Sequence, residues 1–249
     1  MKNLIKKFVI IFSTLIFFIL SCDNGGYTIS PNDFIITDHD GNNYQTVQIG
    51  DRIWMAENLQ VTHYTNGDFI RPGYSNSEWS YLNDTETGAY TIYNDDPIKA
   101  EIYGYLYNWY AVDDVRGICP EGWHVPSDDE WMELEISMGM SFDETHNSGW
   151  RGTDQGSLLA GNMDLWFAGD LENNPFFGWS GFLALPGGCR NYSDGRYEDI
   201  RRYSCFWSST GSTNGLAWSR NLGHHYSEVF RSDDFKQYGF SVRCIRDYD

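Results

Sequence analysis

The chain has 249 residues and is strongly acidic, with 35 Asp and Glu against 17 Lys and Arg and a formal net charge of −18. A surface of this sign repels phosphate-rich polymers, so we do not expect nucleic acid as a partner. The 10 Trp, 17 Tyr and 15 Phe supply ample apolar surface for a folded core, so the acidity does not indicate disorder.

The first residues have the pattern of a bacterial export signal. Three lysines precede the apolar run Phe8–Leu20, which is shorter than the roughly 20 residues of a membrane-spanning helix. The small Ser21 stands directly before Cys22, as at a lipoprotein cleavage site. We therefore predict a signal peptide at residues 1–21 and a lipid on Cys22. An ordinary signal peptide with an incidental cysteine is the alternative.

This pattern predicts the location and the domain organisation. The lipid would hold the protein to a membrane of the cell envelope, which we expect to be the outer membrane, with the protein exposed to the periplasm or the cell surface. Residues 22–32 form a short tether that keeps the domain close to the membrane. Residues 33–249 form a single domain, because no Pro/Ser/Gly-rich linker interrupts them.

The first element of this domain is a predicted β-hairpin. Tyr44–Ile49 alternates in character, Gly50-Asp51 forms a turn, and Arg52–Met55 resumes an extended apolar pattern. The preceding Asp38–Asn42 resembles a calcium loop, but its glycine stands at the wrong position and no closing Glu follows, so we interpret it as a simple turn.

The middle of the chain contains one clear helix signal. His63–Pro97 has no sustained period and is predicted to be a long ordered loop region. The aromatic run Tyr103–Val112 fits either a buried strand or a helix. Ser127 and Glu130 form a capping-box pattern at the start of a helix that is predicted to end near Gly139.

After residue 150 the sequence breaks into short apolar pieces separated by Gly, Asn and Asp. This spacing is typical of antiparallel strands, and the sequence therefore predicts a mixed fold with one sheet, few helices and abundant loop. The predicted strand segments are Gly181–Pro186, Cys205–Ser209, Leu216–Arg220, Glu228–Arg231 and Gly239–Ile245.

Four cysteines remain when Cys22 is assigned to the lipid: Cys119, Cys189, Cys205 and Cys244. An even number in an oxidising compartment suggests two disulfides, and four cysteines allow three pairings. A zinc site is the alternative, but the sequence lacks a close Cys-x-x-Cys pair, so we expect no metal.

The chain contains six distinctive motifs in order. They are GDRIWMAENL at 50–59, YGYLYNWYAV at 103–112, CPEGWHVPS at 119–127 with Glu130-Trp131, LPGG at 185–188, FWSS at 206–209 and GFSVRCIRD at 239–247. Together they resemble the Fibrobacter succinogenes major paralogous domain family. The resemblance runs from about Thr37 to Asp247 and implies an α+β fold, a C-type lectin-like domain with a twisted antiparallel sheet, few helices and long ordered loops. It implies little about activity, since the family has no established common function.

The resemblance also implies a disulfide pairing. In C-type lectin-like domains a cysteine near the first helices pairs with one in the last strand, and a second pair staples the loop-bearing part of the sheet. The corresponding pairs here are Cys119 with Cys244 and Cys189 with Cys205. The formylglycine-generating relatives of this fold use reactive cysteines, whereas Cys244 would be consumed in a disulfide.

We expect no catalytic residues and no cofactor. The sequence has no hydrolase Gly-x-Ser-x-Gly elbow, zinc-protease motif or phosphate loop, and it lacks the lectin calcium-and-sugar tripeptides. His124 is interpreted as a hydrogen-bonded structural residue. His224 and His225 are adjacent, so in a strand they would point to opposite faces and could not easily bind one metal ion. We interpret them as a solvated loop tip.

Ligand binding is the favoured function, because the region between Ser208 and Gly239 is rich in adaptable polar and rigid aromatic residues. Solvated hairpin loops are the alternative for this region. We predict a non-enzymatic module that binds an extracellular glycan or protein. A sulfatase-modifying-factor-like enzyme or carbohydrate-active accessory factor is the second hypothesis, and a structural envelope protein is the third. The candidate ligand-binding residues are Trp218, Arg220, His224, His225, Tyr226, Arg231, Asp233 and Asp234.

Overall fold

The computed structural model describes residues 35–213 and 215–248. The predicted signal peptide, the predicted lipid-attachment residue Cys22 and the predicted tether at residues 22–32 lie outside these described residues. All described residues belong to one compact unit, Asn32–Asp249. No helix in the described part of the chain combines the length and the apolar character that a membrane span requires.

Short strands and short helices share the described chain, with 23% of residues in helix and 30% in strand, which confirms the predicted α+β class. The strands are β1 (Ile35–Thr37), β2 (Asn43–Ile49), β3 (Arg52–Met55), β4 (Tyr90–Thr91), β5 (Leu106–Tyr107), β6 (Trp123–His124), β7 (Gly149–Arg151), β8 (Cys189–Arg190), β9 (Tyr197–Glu198), β10 (Tyr203–Gly211), β11 (Leu216–Gly223), β12 (Val229–Phe235) and β13 (Ile245–Arg246). The α-helices are α1 (Asn76–Ser80), α2 (Leu82–Thr85), α3 (Pro97–Tyr103), α4 (Trp109–Val112), α5 (Asp128–Ser137), α6 (Phe142–Thr145), α7 (Gln155–Leu159) and α8 (Asp170–Asn173), with 3-10 turns at Tyr93–Asp95 and Met163–Leu165.

A five-stranded antiparallel sheet has the strand order β1-β2-β3-β13-β6. The β2–β3 pair places Val47 opposite Trp54 and confirms the predicted hairpin. Just before it, Asp38 accepts hydrogen bonds from the backbone N–H groups of Asp40 and Asn42, as a simple turn requires. The late strand β13 lies between β3 and β6, so both ends of the domain are held in this sheet.

A second antiparallel sheet has the strand order β10-β11-β12-β7. The prediction of one sheet is therefore wrong. The reason lies in the segment predicted as the strand Gly239–Ile245, which is divided between the sheets. Ser241 forms a parallel bridge to Phe206 of β10, and Ile245 then pairs with β3 and β6 in the first sheet. The C-terminal segment thus connects the two sheets.

Two large apolar clusters fill the interior of the described residues. In one cluster, Trp54, Trp131, Phe182 and Phe206 pack with tilted or edge-to-face rings whose centroids are 5.2 to 5.8 Å apart. Such tilted contacts suit the quadrupoles of aromatic rings. The cluster joins α5 to both sheets, because Trp131 belongs to α5, Trp54 to the first sheet and Phe206 to the second.

The aromatic run Tyr103–Val112 packs in the other large cluster and contains both structures that its sequence fits. It includes the short strand β5 and the helical turn α4. Asn108 separates them, because its side chain accepts a hydrogen bond from the backbone N–H of Ala111 and caps α4. Neither a purely helical nor a purely extended periodicity could have described this run.

Helix α5 begins and ends close to the predicted positions. Ser127 and Glu130 form the predicted capping box, and the helix ends at Ser137, two residues before Gly139 with its φ of 94°. The predicted loop region His63–Pro97 is less regular but contains the short helices α1 and α2. A capping box of Ser75 and Glu78 starts α1, which is a local signal that the sequence contains.

Candidate ligand-binding site on the four-stranded sheet

The four-stranded sheet presents two faces, and the predicted ligand-binding residues are divided between them. Alternate residues of a strand point to opposite sides. Trp218 lies opposite Asp233, and Arg220 lies opposite Arg231, so these four share the side that packs on α5, which we call the helix face. Asp234 belongs to the other side, which we call the pocket face. The predicted residues therefore cannot contact one ligand together.

Arg220 and Arg231 are buried in an ion network with α5, so their side chains are engaged within the protein, and their predicted role in ligand binding stays a prediction. Arg220 is 1% exposed and donates from Nη1 to Asp128 Oδ1 at 2.6 Å and from Nε to Glu135 Oε1 at 2.7 Å. Arg231 donates to Asp128 Oδ2 at 2.6 Å, and Arg151 donates to Glu135 Oε2 at 2.8 Å. Burial opposes ionisation of Asp128, but its bonds to Arg231 and Arg220 keep its pKa below the usual value.

Trp218 and Asp233 complete this framework on the helix face. The half-buried Trp218 ring lies 3.6 Å from the guanidinium carbon of Arg231, as in a cation–π contact. Asp233 accepts a hydrogen bond from Ser212 Oγ at 2.8 Å. These side chains are already engaged by the protein, and their predicted contact with a ligand stays a prediction.

His224, His225 and Tyr226 lie beyond the end of β11. The two histidines lie in a turn, which agrees with the predicted loop tip, and their rings are 3.7 Å apart. Tyr226 stacks on Trp150 with a centroid distance of 4.0 Å and places an exposed aromatic ring at the edge of the pocket face.

A cavity of about 240 Å³ opens on the pocket face. Its aromatic wall comes from three strands and from the segment after β12. The rings of Trp150 and Phe230 are 5.0 Å apart on adjacent strands, and Tyr238 stacks on Phe240 at 5.0 Å. Tyr203 of β10 completes this wall. Rigid aromatic rings of this kind bury apolar ligand surface at a low entropic cost.

The polar wall of the cavity contains Asn221 and three carboxylates. Asn221 lies opposite Phe230 in the register, and its Oδ1 is buried with no hydrogen-bond donor among the described residues. Asp234 accepts from Ser219 Oγ at 2.6 Å, while Glu198 accepts from Asn191 Nδ2 at 2.7 Å. Burial and the neighbouring Glu198 charge raise the pKa of Asp199.

The cysteines are arranged differently from the full prediction. Cys119 and Cys244 are joined in a disulfide, whereas Cys189 and Cys205 are buried free thiols on the polar wall of the cavity. A Cys189–Cys205 disulfide is therefore not present. The Cys189 thiol instead donates to Glu198 Oε1 at 3.8 Å. The adjacent Cys205 thiol and burial together raise the pKa of Cys189 well above its usual value.

Sequence reasoning missed most of this cavity. Trp150 lies before the predicted strand segments, and neither Glu198 nor Asp199 is among the predicted site residues. A local signal for Glu198 existed, because an Asp194-Gly195 turn between two short extended segments predicts a hairpin. The structure forms this hairpin as β8 and β9, and it pairs Cys189 with Glu198.

A larger cavity of about 630 Å³ lies along residues 112–125, but its Arg116 and His124 already have charged partners. Arg116 is paired with Asp114 and Asp68. His124 lies between Glu130 at 2.9 Å and Asp247 at 2.5 Å, and the hydrogen bond to Glu130 raises the pKa of His124. This arrangement fits a structural histidine. We therefore take the smaller cavity as the candidate site, since it contains the unpartnered acceptor.

Comparisons with known proteins identify the family of this chain. No curated protein and no solved structure matches it significantly. The family model of the Fibrobacter succinogenes major domain matches residues 47–246, which covers both sheets from β3 onward and every residue of the candidate cavity. The chain therefore belongs to the Fibrobacter succinogenes major domain family.

Proposed function

We propose that this protein is a non-enzymatic binding module of the cell envelope that holds an extracellular glycan in the cavity of the pocket face. The observation that carries the proposal is the buried, unpartnered Oδ1 of Asn221 beside the Trp150 and Phe230 rings. The apolar face of a sugar ring packs on an aromatic ring, and its hydroxyl groups donate to amide and carboxylate oxygens. The cavity offers both kinds of contact.

The size and charge of the cavity narrow the class of glycan. Its volume of about 240 Å³ lies below the roughly 300–1,000 Å³ of most small-molecule sites, which suits one unit of a longer chain. Glu198, Asp199 and Asp234 line it, and no Lys or Arg is found among the described lining residues. A neutral or amino sugar would therefore be preferred over a uronic or sulfated one.

The location belongs to the same proposal and is supported by the sequence pattern at residues 1–22. A lipid on Cys22 would anchor the protein to the envelope, most consistently the outer membrane. The net charge of −18 argues against nucleic acid as a partner. A sulfatase-modifying-factor-like enzyme has less support, because Cys119 and Cys244 are buried in a disulfide.

The experiment is a glycan array with the purified protein, followed by calorimetry with the neutral glycan that binds best. Trp150→Ala and Phe230→Ala should each weaken binding by about 2 kcal/mol, or roughly 30-fold. Tyr81→Ala is the matched control, because this 67% exposed tyrosine lies outside the cavity. Array binding that survives both cavity variants would place the glycan elsewhere, and binding only to protein ligands would contradict the proposed ligand class.

A further inference from the structure

We propose that Cys189, Cys205, Glu198 and Asp199 form a binding site for a divalent transition-metal ion, best suited to Zn²⁺, in the polar wall of the cavity. The Sγ of Cys189 and one carboxylate oxygen each from Glu198 and Asp199 lie within 4.8 Å of one another. Zinc–ligand bonds of about 2.0–2.3 Å place neighbouring ligands of a tetrahedral site roughly 3.3–3.8 Å apart. The Cys189–Glu198 distance of 3.8 Å already meets this spacing.

Cys205 supplies the fourth ligand. A parallel bridge between Gly188 and Ser204 makes Cys189 and Cys205 neighbours, and both thiols line the same cavity. They are 5% and 7% exposed. Because Cys205 lines the same cavity, it would complete the set with the ligand atoms of Cys189, Glu198 and Asp199. Two sulfur and two oxygen ligands would then surround one ion.

Asn221 provides an independent indication that this wall receives a ligand. It lies directly opposite Cys205 in the register of β10 and β11. Its Oδ1 is fully buried and has no donor among the described residues. A buried acceptor without a hydrogen bond costs free energy, so a ligand that donates to it would be favoured. A water molecule on the metal ion could donate to this oxygen.

The charge of the site also suits a cation. Two thiolates and two carboxylates would carry four negative charges, and no Lys or Arg lines the described cavity. Zinc binds the deprotonated thiol, so binding of the ion would release the thiol protons.

The donor types select the metal. Calcium and magnesium prefer oxygen ligands alone, whereas zinc accepts thiolate and carboxylate together. The local sequence hides this site, because the ligands lie in β8, β9, the residue after β9 and β10, without the short Cys-x-x-Cys spacing. The inference goes beyond the glycan proposal and does not depend on it.

The test uses the full-length protein, purified under reducing conditions in metal-free buffer and titrated with Co²⁺ alone as a spectroscopic substitute for Zn²⁺. We expect one equivalent to bind with a thiolate-to-cobalt band in the near ultraviolet, and Zn²⁺ to displace it. Loss of an outer-shell partner typically weakens metal binding 10- to 100-fold, so loss of a direct ligand should weaken it by at least about 100-fold.

Two variants separate a ligand role from a folding role. Glu198→Gln retains the size of the side chain and an oxygen for Asn191, and it should weaken Co²⁺ binding. Glu133→Gln, at an exposed position of α5, is the matched control and should bind Co²⁺ like the wild type. Zn²⁺ should raise the melting temperature of the wild type but not that of Cys205→Ser.

Three results would overturn the metal site. The first is the absence of a thiolate-to-cobalt band, and the second is an equal Co²⁺ affinity of Glu198→Gln and the wild type. The third is a Cys189–Cys205 disulfide that appears in peptide maps of protein purified without reductant and that resists mild reduction. None of these readouts involves a glycan. Failure of this proposal can therefore be told apart from failure of the glycan proposal, although both use the Oδ1 of Asn221.

Discussion

Arg220 offers the sharpest test of the division between the two faces of the sheet. Its guanidinium contacts both buried carboxylates of α5, Asp128 and Glu135, and it is 1% exposed. Arg220→Ala removes these hydrogen bonds without removing the carboxylates. Arg231 then remains as the charged partner of Asp128, and Arg151 remains as the charged partner of Glu135.

The expected loss follows from the burial of these charges. Removing one partner of a buried ion pair typically destabilises a protein by about 3–5 kcal/mol. We expect a loss in this range, because Asp128 and Glu135 each lose a charged hydrogen-bond donor at a buried position. For a domain of 150–250 residues, each 1 kcal/mol lowers the melting temperature by about 2–4 °C. Arg220→Ala should therefore melt roughly 6–20 °C below the wild type. A typical stability of about 5–15 kcal/mol would leave most of the variant folded at 25 °C.

The assay is urea unfolding followed by tryptophan fluorescence, with thermal unfolding by circular dichroism as a second probe. Arg196→Ala is the matched control, since the Arg196 side chain is 77% exposed and pairs with an exposed Asp194. Surface pairs of this kind contribute about 0–1 kcal/mol, so the control should stay close to the wild type. An Arg220→Ala variant within 1 kcal/mol of the wild type would refute the structural role assigned to Arg220.

Three other changes test separate parts of the molecule. Replacing Cys119 and Cys244 with Ala removes a cross-link over 125 residues, and it should lower the unfolding free energy by up to about 4–5 kcal/mol in urea; unchanged stability would contradict this. The hydrogen bond to Glu130 raises the pKa of His124, so its stabilisation is complete below about pH 6.5 and is lost as pH rises through the raised pKa. His124→Gln should make the melting temperature less dependent on pH over that range. An unchanged pH dependence of the melting temperature in this variant would assign the effect to other groups. Cys22→Ala should release the protein from the membrane fraction or leave it unprocessed, and lipid labelling that persists in this variant would end the anchor hypothesis.

The elements that sequence reasoning placed correctly depend on neighbours along the chain. The hairpin of β2 and β3 follows from alternation and a turn, and the start of α5 follows from Ser127 and Glu130. Both signals lie within a few residues of the structure that they determine. The resemblance to the family supplied one long-range contact, the Cys119–Cys244 pairing.

The candidate site could not be predicted from the spacing of residues along the chain. Arg220 and Asn221 are adjacent in sequence, yet one enters the ion network and the other lines the cavity, because alternate strand residues face opposite sides. A polar residue in a strand pattern does not show which side is covered by a helix. Trp150 likewise joins the cavity only through the pairing of β7 with β12, whose Phe230 lies 80 residues later in the sequence.

The position of β13 has a consequence for biogenesis. Ile245 lies between β3 and β6 in the five-stranded sheet, and the preceding Arg243 donates hydrogen bonds to Asn58, Met55 and Phe182 in the interior. Synthesis proceeds from the N-terminus, so β3 and β6 must wait for Ile245 before they can pair through β13. The domain thus completes its fold only after β13 has been synthesised. A product cut short before β13 would expose its apolar core to proteases.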